Sequence, residues 1–162
     1  TRNTADVARC TFSMNHYMFR ALEMSNRYDA LADRLMDGWR QMMDLHCTSW
    51  CETPGNCRSE CHGWSSAPLY ELSAMYLGIQ PETPGFASVI IRPHRNGLRF
   101  AKGTVPTPQG PIHVEWTVEK DTLTLDATLP VGVSATVLLP DHAPFRTKDH
   151  RLHIVSHLTT QK

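Results

Sequence analysis

The chain has 162 residues, and its sixteen Lys+Arg balance sixteen Asp+Glu, so the formal net charge is zero. That balance excludes the basic face of an electrostatic nucleic-acid binder and the polybasic route to anionic membranes. Hydrophobic residues make up 41% and charged residues 20%, a globular composition too apolar for disorder. No apolar run approaches the ~20 residues of a membrane-spanning helix. The first residue is Thr1, and no apolar signal core follows it. The chain is therefore expected to start in the middle of a longer protein.

The first 80 residues read as helices. Val7, Cys10, Met14, Tyr17, Met18, Ala21 and Met24 form one apolar stripe at the 3.6-residue period, with Thr4 and Asp6 as capping oxygens near its start. A second stripe runs through Tyr28, Leu31, Leu35, Trp39 and Met42, with Asp29, Asp33, Arg34 and Asp37 on the other side. The short polar connection makes the two helices antiparallel neighbours. A third helix is expected from about Ala67 to Leu77, apolar all round and hence buried, ended by Gly78. Between helices two and three, His46 to Ser66 carries Pro54, Gly55, Asn56 and Gly63 and reads as a long loop, a feature more often functional than not.

The character changes near Pro81, and nine of the eleven prolines fall beyond position 80. Val89–Ile91 is a short apolar strand. Ile112, Val114, Trp116 and Val118 alternate with polar residues, and so do Leu123, Leu125, Ala127 and Leu129 after a tight turn at Lys120-Asp121. Period two with β-branched enrichment predicts antiparallel strands, one face buried and one wet. Ser134 to Leu139 supplies a further strand. The expected division is a helical part at 1–80, a β-sandwich at 81–145, and a poorly ordered tail at 146–162, rich in His, Arg, Lys and Thr.

The chemistry concentrates in the long loop, where Trp50, Glu52, His62 and Trp64 gather. A carboxylate can activate water, an imidazole can hydrogen-bond hydroxyls, and an indole offers a flat face to a sugar ring. The plainer alternative makes the two Trp residues loop anchors and Glu52 a solvated acid. Cys47, Cys51, Cys57 and Cys61 lie in the same loop, flanked by His46 and His62. Their spacing departs from the C-x-x-C knuckles and long inter-pair span of zinc ribbons. The site is therefore expected to hold no metal, with several of these cysteines acting as small buried hydrophobes. Thiols that look unbridged lean slightly towards the cytoplasm. Asp33 and Asp37, at i and i+4, could pair on a metal, but the Leu35–Trp39 stripe needs that segment to fold, so solvent-facing carboxylates are expected.

Taken in order, Trp50-Cys51-Glu52, Ser59-Glu60-Cys61-His62-Gly63-Trp64-Ser65, Leu77-Gly78-Ile79-Gln80-Pro81, Pro84-Gly85-Phe86 and Ile91-Arg92-Pro93-His94 resemble the C-terminal part of bacterial-type α-L-rhamnosidases. The run from Gly103 to Ile112 looks like that family's entry into its C-terminal sandwich. The resemblance implies an α+β multidomain fragment, the last helices of an (α/α)6 barrel followed by an antiparallel β-sandwich. It also implies hydrolysis of terminal α-L-rhamnosyl groups with inversion, by two carboxylic residues and without a cofactor. Glu52 matches the family's general base, His62 its sugar-contacting histidine, and Trp64, with Trp50 nearby, the aromatic side of the pocket. The family's general acid lies in an acidic motif earlier in the barrel that nothing here matches, so this chain would carry the base side alone. The implied partners are a rhamnose-containing glycoside or polysaccharide and the remainder of the barrel upstream of Thr1, with no nucleic acid and no membrane. Two further readings stay open: a non-catalytic module that binds carbohydrate or a partner, and a small zinc-stabilised interaction domain.

Overall fold

The computed structural model describes residues 10–53 and 59–158, and the chain divides into two compact units between Leu69 and Tyr70. That division falls eleven residues before the expected one at position 80. In the first unit, helix α1 spans Phe12–Met24, α2 Tyr28–Leu35 and α3 Asp37–Asp44. Val7, Thr4 and Asp6, expected at the start of the first helix, lie outside the described residues.

Helix α1 turns its expected stripe outward. Met14, Tyr17, Met18 and Met24 are exposed, Met24 at 89%, whereas Phe12, Asn15 and Phe19 are buried. The reason is an aromatic cluster that the stripe left out. The Phe12 ring sits 4.6 Å from that of Trp39, and Phe19 packs at 6.0 Å from Tyr28 and 6.1 Å from Trp39. Each such ring buries ~150–250 Å², more than the smaller residues of the stripe can offer. The second expected helix is broken at Met36 into α2 and α3. Arg40 clamps that break, donating to the Asp33 carbonyl at 3.0 Å, to the Asp37 carboxylate at 2.7 Å and to the Asp33 carboxylate. A carbonyl left over at a helix end thereby finds a donor. Asp33 and then Asp37, through these hydrogen bonds, hold the Arg40 guanidinium above its ordinary value.

The expected third helix is composite. A 3-10 turn at Gly63–Ser66 leads into α4, Ala67–Glu71, followed by a π turn over Leu72–Tyr76. It is not buried all round. Leu69, Tyr70 and Leu72 are exposed, while Glu71, Ala74, Met75 and Tyr76 are buried.

The second unit holds eight strands in two four-stranded sheets. Strands β1 (Ile79–Pro81), β2 (Ser88–Ile91), β6 (Ser134–Val137) and β7 (Phe145–Thr147) lie side by side in that order. Strands β3 (Phe100–Val105), β4 (Ile112–Glu119), β5 (Thr122–Thr128) and β8 (Arg151–His157) form the other. Every pairing is antiparallel except β2 with β6. Alternation along β4 and β5 drives Ile112, Val114, Trp116, Leu123 and Leu125 inward, where they share one core with Val89, Ile91, Ala135 and Val137 of the first sheet. The β4–β5 turn places Lys120 at φ 53°. The Trp116 indole donates to the Tyr76 carbonyl at 2.9 Å, so the largest core side chain also satisfies the end of the π turn.

The stretch 146–162 is expected as a poorly ordered tail, but its described part, 146–158, builds most of β7 and all of β8. Strand β8 pairs with β5 along seven residues, burying Leu152, Ile154 and Ser156. Its outward Arg151, His153 and His157 had masked the alternation. Gly78 is the backbone joint before β1. Its φ is +88°, and a Cβ there would lie 2.3 Å from the Pro93 nitrogen. Only glycine permits both that conformation and that approach.

A candidate sugar site in the loop after α3

The loop between α3 and α4 folds back on itself. The Glu52 N–H donates to the Ser59 carbonyl at 2.9 Å, and the His62 N–H donates to the Trp50 carbonyl at 3.1 Å. Two short segments, 50–52 and 59–62, are thus drawn together, and with them the side chains singled out by the sequence. Glu52 Oε1 lies 3.9 Å from His62 Nε2, both side chains about four-fifths buried at 19% and 18% exposure. That separation exceeds a direct hydrogen bond, but suits two groups that face one small polar ligand or water. The His62 Nδ1 is buried with no hydrogen-bond partner among the described residues. The Trp64 ring packs tilted against His62 at 4.6 Å and 53° and keeps 55% of its surface open. Trp50 is half-buried and joins the group through its main chain. A carboxylate beside an imidazole, next to an open indole, can polarise water and cover an apolar sugar face.

Ser65, at the end of the same motif, ties the loop to the aromatic cluster. It is fully buried; its hydroxyl donates to the Cys51 carbonyl at 2.6 Å, and its own carbonyl accepts from the Trp39 indole at 2.6 Å. The aromatic cluster under α1 is thereby tied to the residue preceding Glu52. The only sequence signal was a serine at the end of an aromatic motif, and its burial depends on tertiary contacts.

Cys51 departs from the expectation of a buried thiol. It is buried but disulfide-bonded, with Cys10, Cys47 and Cys61 as thiols; Cys57 lies outside the described residues. An oxidised Cys51 offers no thiolate to zinc, and it removes the ground for the cytoplasmic leaning. Asp33 and Asp37 are exposed and held by Arg40, as expected of solvent-facing carboxylates.

Residues 78–152 match the family model described as the bacterial alpha-L-rhamnosidase C-terminal domain. An alpha-L-rhamnosidase of Alteromonas sp. (strain LOR) is 42% identical over 67 residues, 41% of this chain and 7% of that protein. The chain is thus similar to the C-terminal part of bacterial-type α-L-rhamnosidases. Among solved structures, a GH78 family rhamnosidase of Bacillus sp. GL1 superposes with a TM-score of 0.74 at 31% identity, over 81% of this chain and 15% of that one. The alpha-L-rhamnosidase of Streptomyces avermitilis, solved in complex with L-rhamnose, gives 0.70 at 20% identity, over 88% of this chain and 16% of that one. These likenesses agree with the α+β fold of two mostly antiparallel sheets and few helices. The chain spans well under a fifth of the length of each of these relatives.

Proposed function

We propose that this chain supplies the base side of the active site in a longer α-L-rhamnosidase that hydrolyses terminal α-L-rhamnosyl groups with inversion. The carrying observation is the convergence of Glu52, His62 and Trp64 in one loop, with Glu52 Oε1 3.9 Å from His62 Nε2. Glu52 takes the proton of the attacking water as it adds to the anomeric carbon. A carboxylic acid on the part of the enzyme upstream of Thr1 protonates the leaving oxygen from the opposite face. In inverting hydrolysis such carboxyl groups stand about 6.5–9.5 Å apart, leaving room for the water. His62, through its unpartnered Nδ1, binds sugar hydroxyls, and Trp64, with Trp50 at the rim, covers the apolar face.

In this reading α1 to α4 close an (α/α)6 barrel, whose other helices cover the exposed Met14, Tyr17, Met18 and Met24, and the two sheets form the C-terminal sandwich. Stable burial of such an apolar face is what a helix with two apolar sides requires. In the full-length enzyme, Glu52→Gln is expected to lower kcat on an aryl α-L-rhamnoside by about 10²–10⁴-fold while leaving the far-ultraviolet circular dichroism unchanged. Unaltered turnover would remove Glu52 from the base role. Proton nuclear magnetic resonance of the first-formed sugar checks inversion, since retention would refute the two-carboxylate arrangement with an intervening water.

One observation favours a second role for the β unit, binding carbohydrate or a partner without catalysis. An open depression of about 580 Å³ on the outer face of the second sheet is lined by Lys102, His113, Glu115, Asp126, Arg151 and His153. Sugar binding that persists in the Glu52→Gln, His62→Ala double variant would place a ligand there; binding lost in that variant would not.

A further inference from the structure

Ser65 lies in the 3-10 turn Gly63–Ser66, and its N–H, hydroxyl and carbonyl are all bonded. The N–H donates to the His62 carbonyl at 3.0 Å, the hydroxyl to the Cys51 carbonyl at 2.6 Å, and the carbonyl accepts from the Trp39 indole. One residue therefore reaches the main chain on both sides of the Glu52–His62 pair. The Cys51 carbonyl belongs to the peptide unit that joins Cys51 to Glu52. The N–H of that same unit is held by the Ser59 carbonyl at 2.9 Å. A peptide unit is planar, so fixing both of its polar groups fixes the direction in which the Glu52 side chain leaves the main chain.

We propose that Ser65 is a positioning residue that sets the separation of Glu52 and His62, with Trp39 as its anchor in the aromatic cluster. That role rests on the base and sugar-contact roles proposed for Glu52 and His62. Ser65 acts through the main chain of the two segments, from beneath a site whose Trp64 side is open. Its bonds to Cys51 and Trp39 are both buried, so losing the hydroxyl leaves a buried carbonyl without that donor. The peptide unit before Glu52 is then free to turn about its remaining bond. A misplacement of about 1 Å by a change away from the chemistry can cost about 10²-fold in rate.

The test uses the full-length enzyme and double-variant cycles on an aryl α-L-rhamnoside. Ser65→Ala is expected to lower kcat by about 10–100-fold and to raise KM several-fold. In a Glu52→Gln background the same change should lower kcat by less than about 2-fold, because no base is left to misplace. In a His62→Ala background it should no longer raise KM. Ala32→Gly weakens α2 at a buried position away from the loop and should leave kcat unchanged at a comparable loss of urea midpoint. Trp39→Phe keeps the Ser65 hydroxyl but releases its anchor, so it should reproduce the effect of Ser65→Ala in weaker form, and it carries the test where Ser65→Ala does not fold. Equal losses from Ser65→Ala in all three backgrounds, or a loss of kcat no greater than that of Ala32→Gly, would overturn the proposal. An unchanged kcat in Glu52→Gln alone would strike the base reading instead, and the His62 cycle would still decide the role of Ser65.

Discussion

The two units handle their apolar residues in opposite ways. In the β unit, alternation along β4, β5 and β8 sends every second residue into one core and the rest to water. In the helical unit, α1 presents apolar residues on two sides, and only the Phe12–Phe19 side is covered. The β unit completes its own core, whereas the helical unit leaves Met14, Tyr17, Met18 and Met24 of α1 exposed. The proposed site, with Glu52, His62 and Trp64, lies in the helical unit.

The sharpest way to break this contrast is to disturb the β unit at its backbone joint. Gly78→Ala adds a Cβ that meets backbone at 2.3 Å in a conformation at φ +88°. A loss of about 3 kcal/mol or more is expected, among the largest single-residue effects. Urea unfolding of the chain followed by far-ultraviolet circular dichroism checks it, and a midpoint shift no larger than a surface variant's would contradict the self-contained core. A smaller effect belongs to the helical unit. Trp39→Phe keeps the ring cluster but strands the buried Ser65 carbonyl, at a cost of about 1–3 kcal/mol. Because Ser65 also holds the Cys51 carbonyl, the same change should raise KM more than it lowers overall stability would require; equal effects would make Ser65 purely structural. The smallest effect sharpens the comparison most. Met14→Gln with Met18→Gln should shift the stability of the 162-residue chain by no more than about 0.5 kcal/mol, as for exposed sites, yet destabilise the full-length enzyme by several times that. Equal shifts in both would mean that the outer side of α1 meets nothing.

What was legible in the sequence follows the same division. Strands β4 and β5 could be read to within a residue, because Ile112 to Val118 and Leu123 to Leu129 alternate without interruption. Strand β8 follows the same rule through Leu152 and Ile154, but Ser156 takes the inward place while Val155 is exposed at 47%, which blurs the period. Strand β3, with Lys102 and Gly103 in its middle, is defined by its pairing with β4 rather than by its own pattern. In the helices, the 3.6-residue period was present twice on α1, and sequence could not say which side would be covered. Tyr28, Trp39 and Met42 were legible as buried, but the break at Met36 was not, since Arg40's clamp depends on the geometry it helps to make. At the site, Glu52, His62 and Trp64 could be named from their order in a motif, yet their approach is produced by two main-chain hydrogen bonds across the loop. The oxidised Cys51 had no signal beyond the crowding of four cysteines.

The central claim is that Glu52 deprotonates the attacking water, and chemical rescue tests it most directly. Glu52→Ala in the full-length enzyme removes the base and leaves space where the water is activated, so a small anion that needs no deprotonation can replace water. Added azide should restore turnover of an activated aryl α-L-rhamnoside and give a rhamnosyl azide of inverted configuration. Failure of azide to restore any turnover in a folded variant, or full activity without azide, would contradict the account.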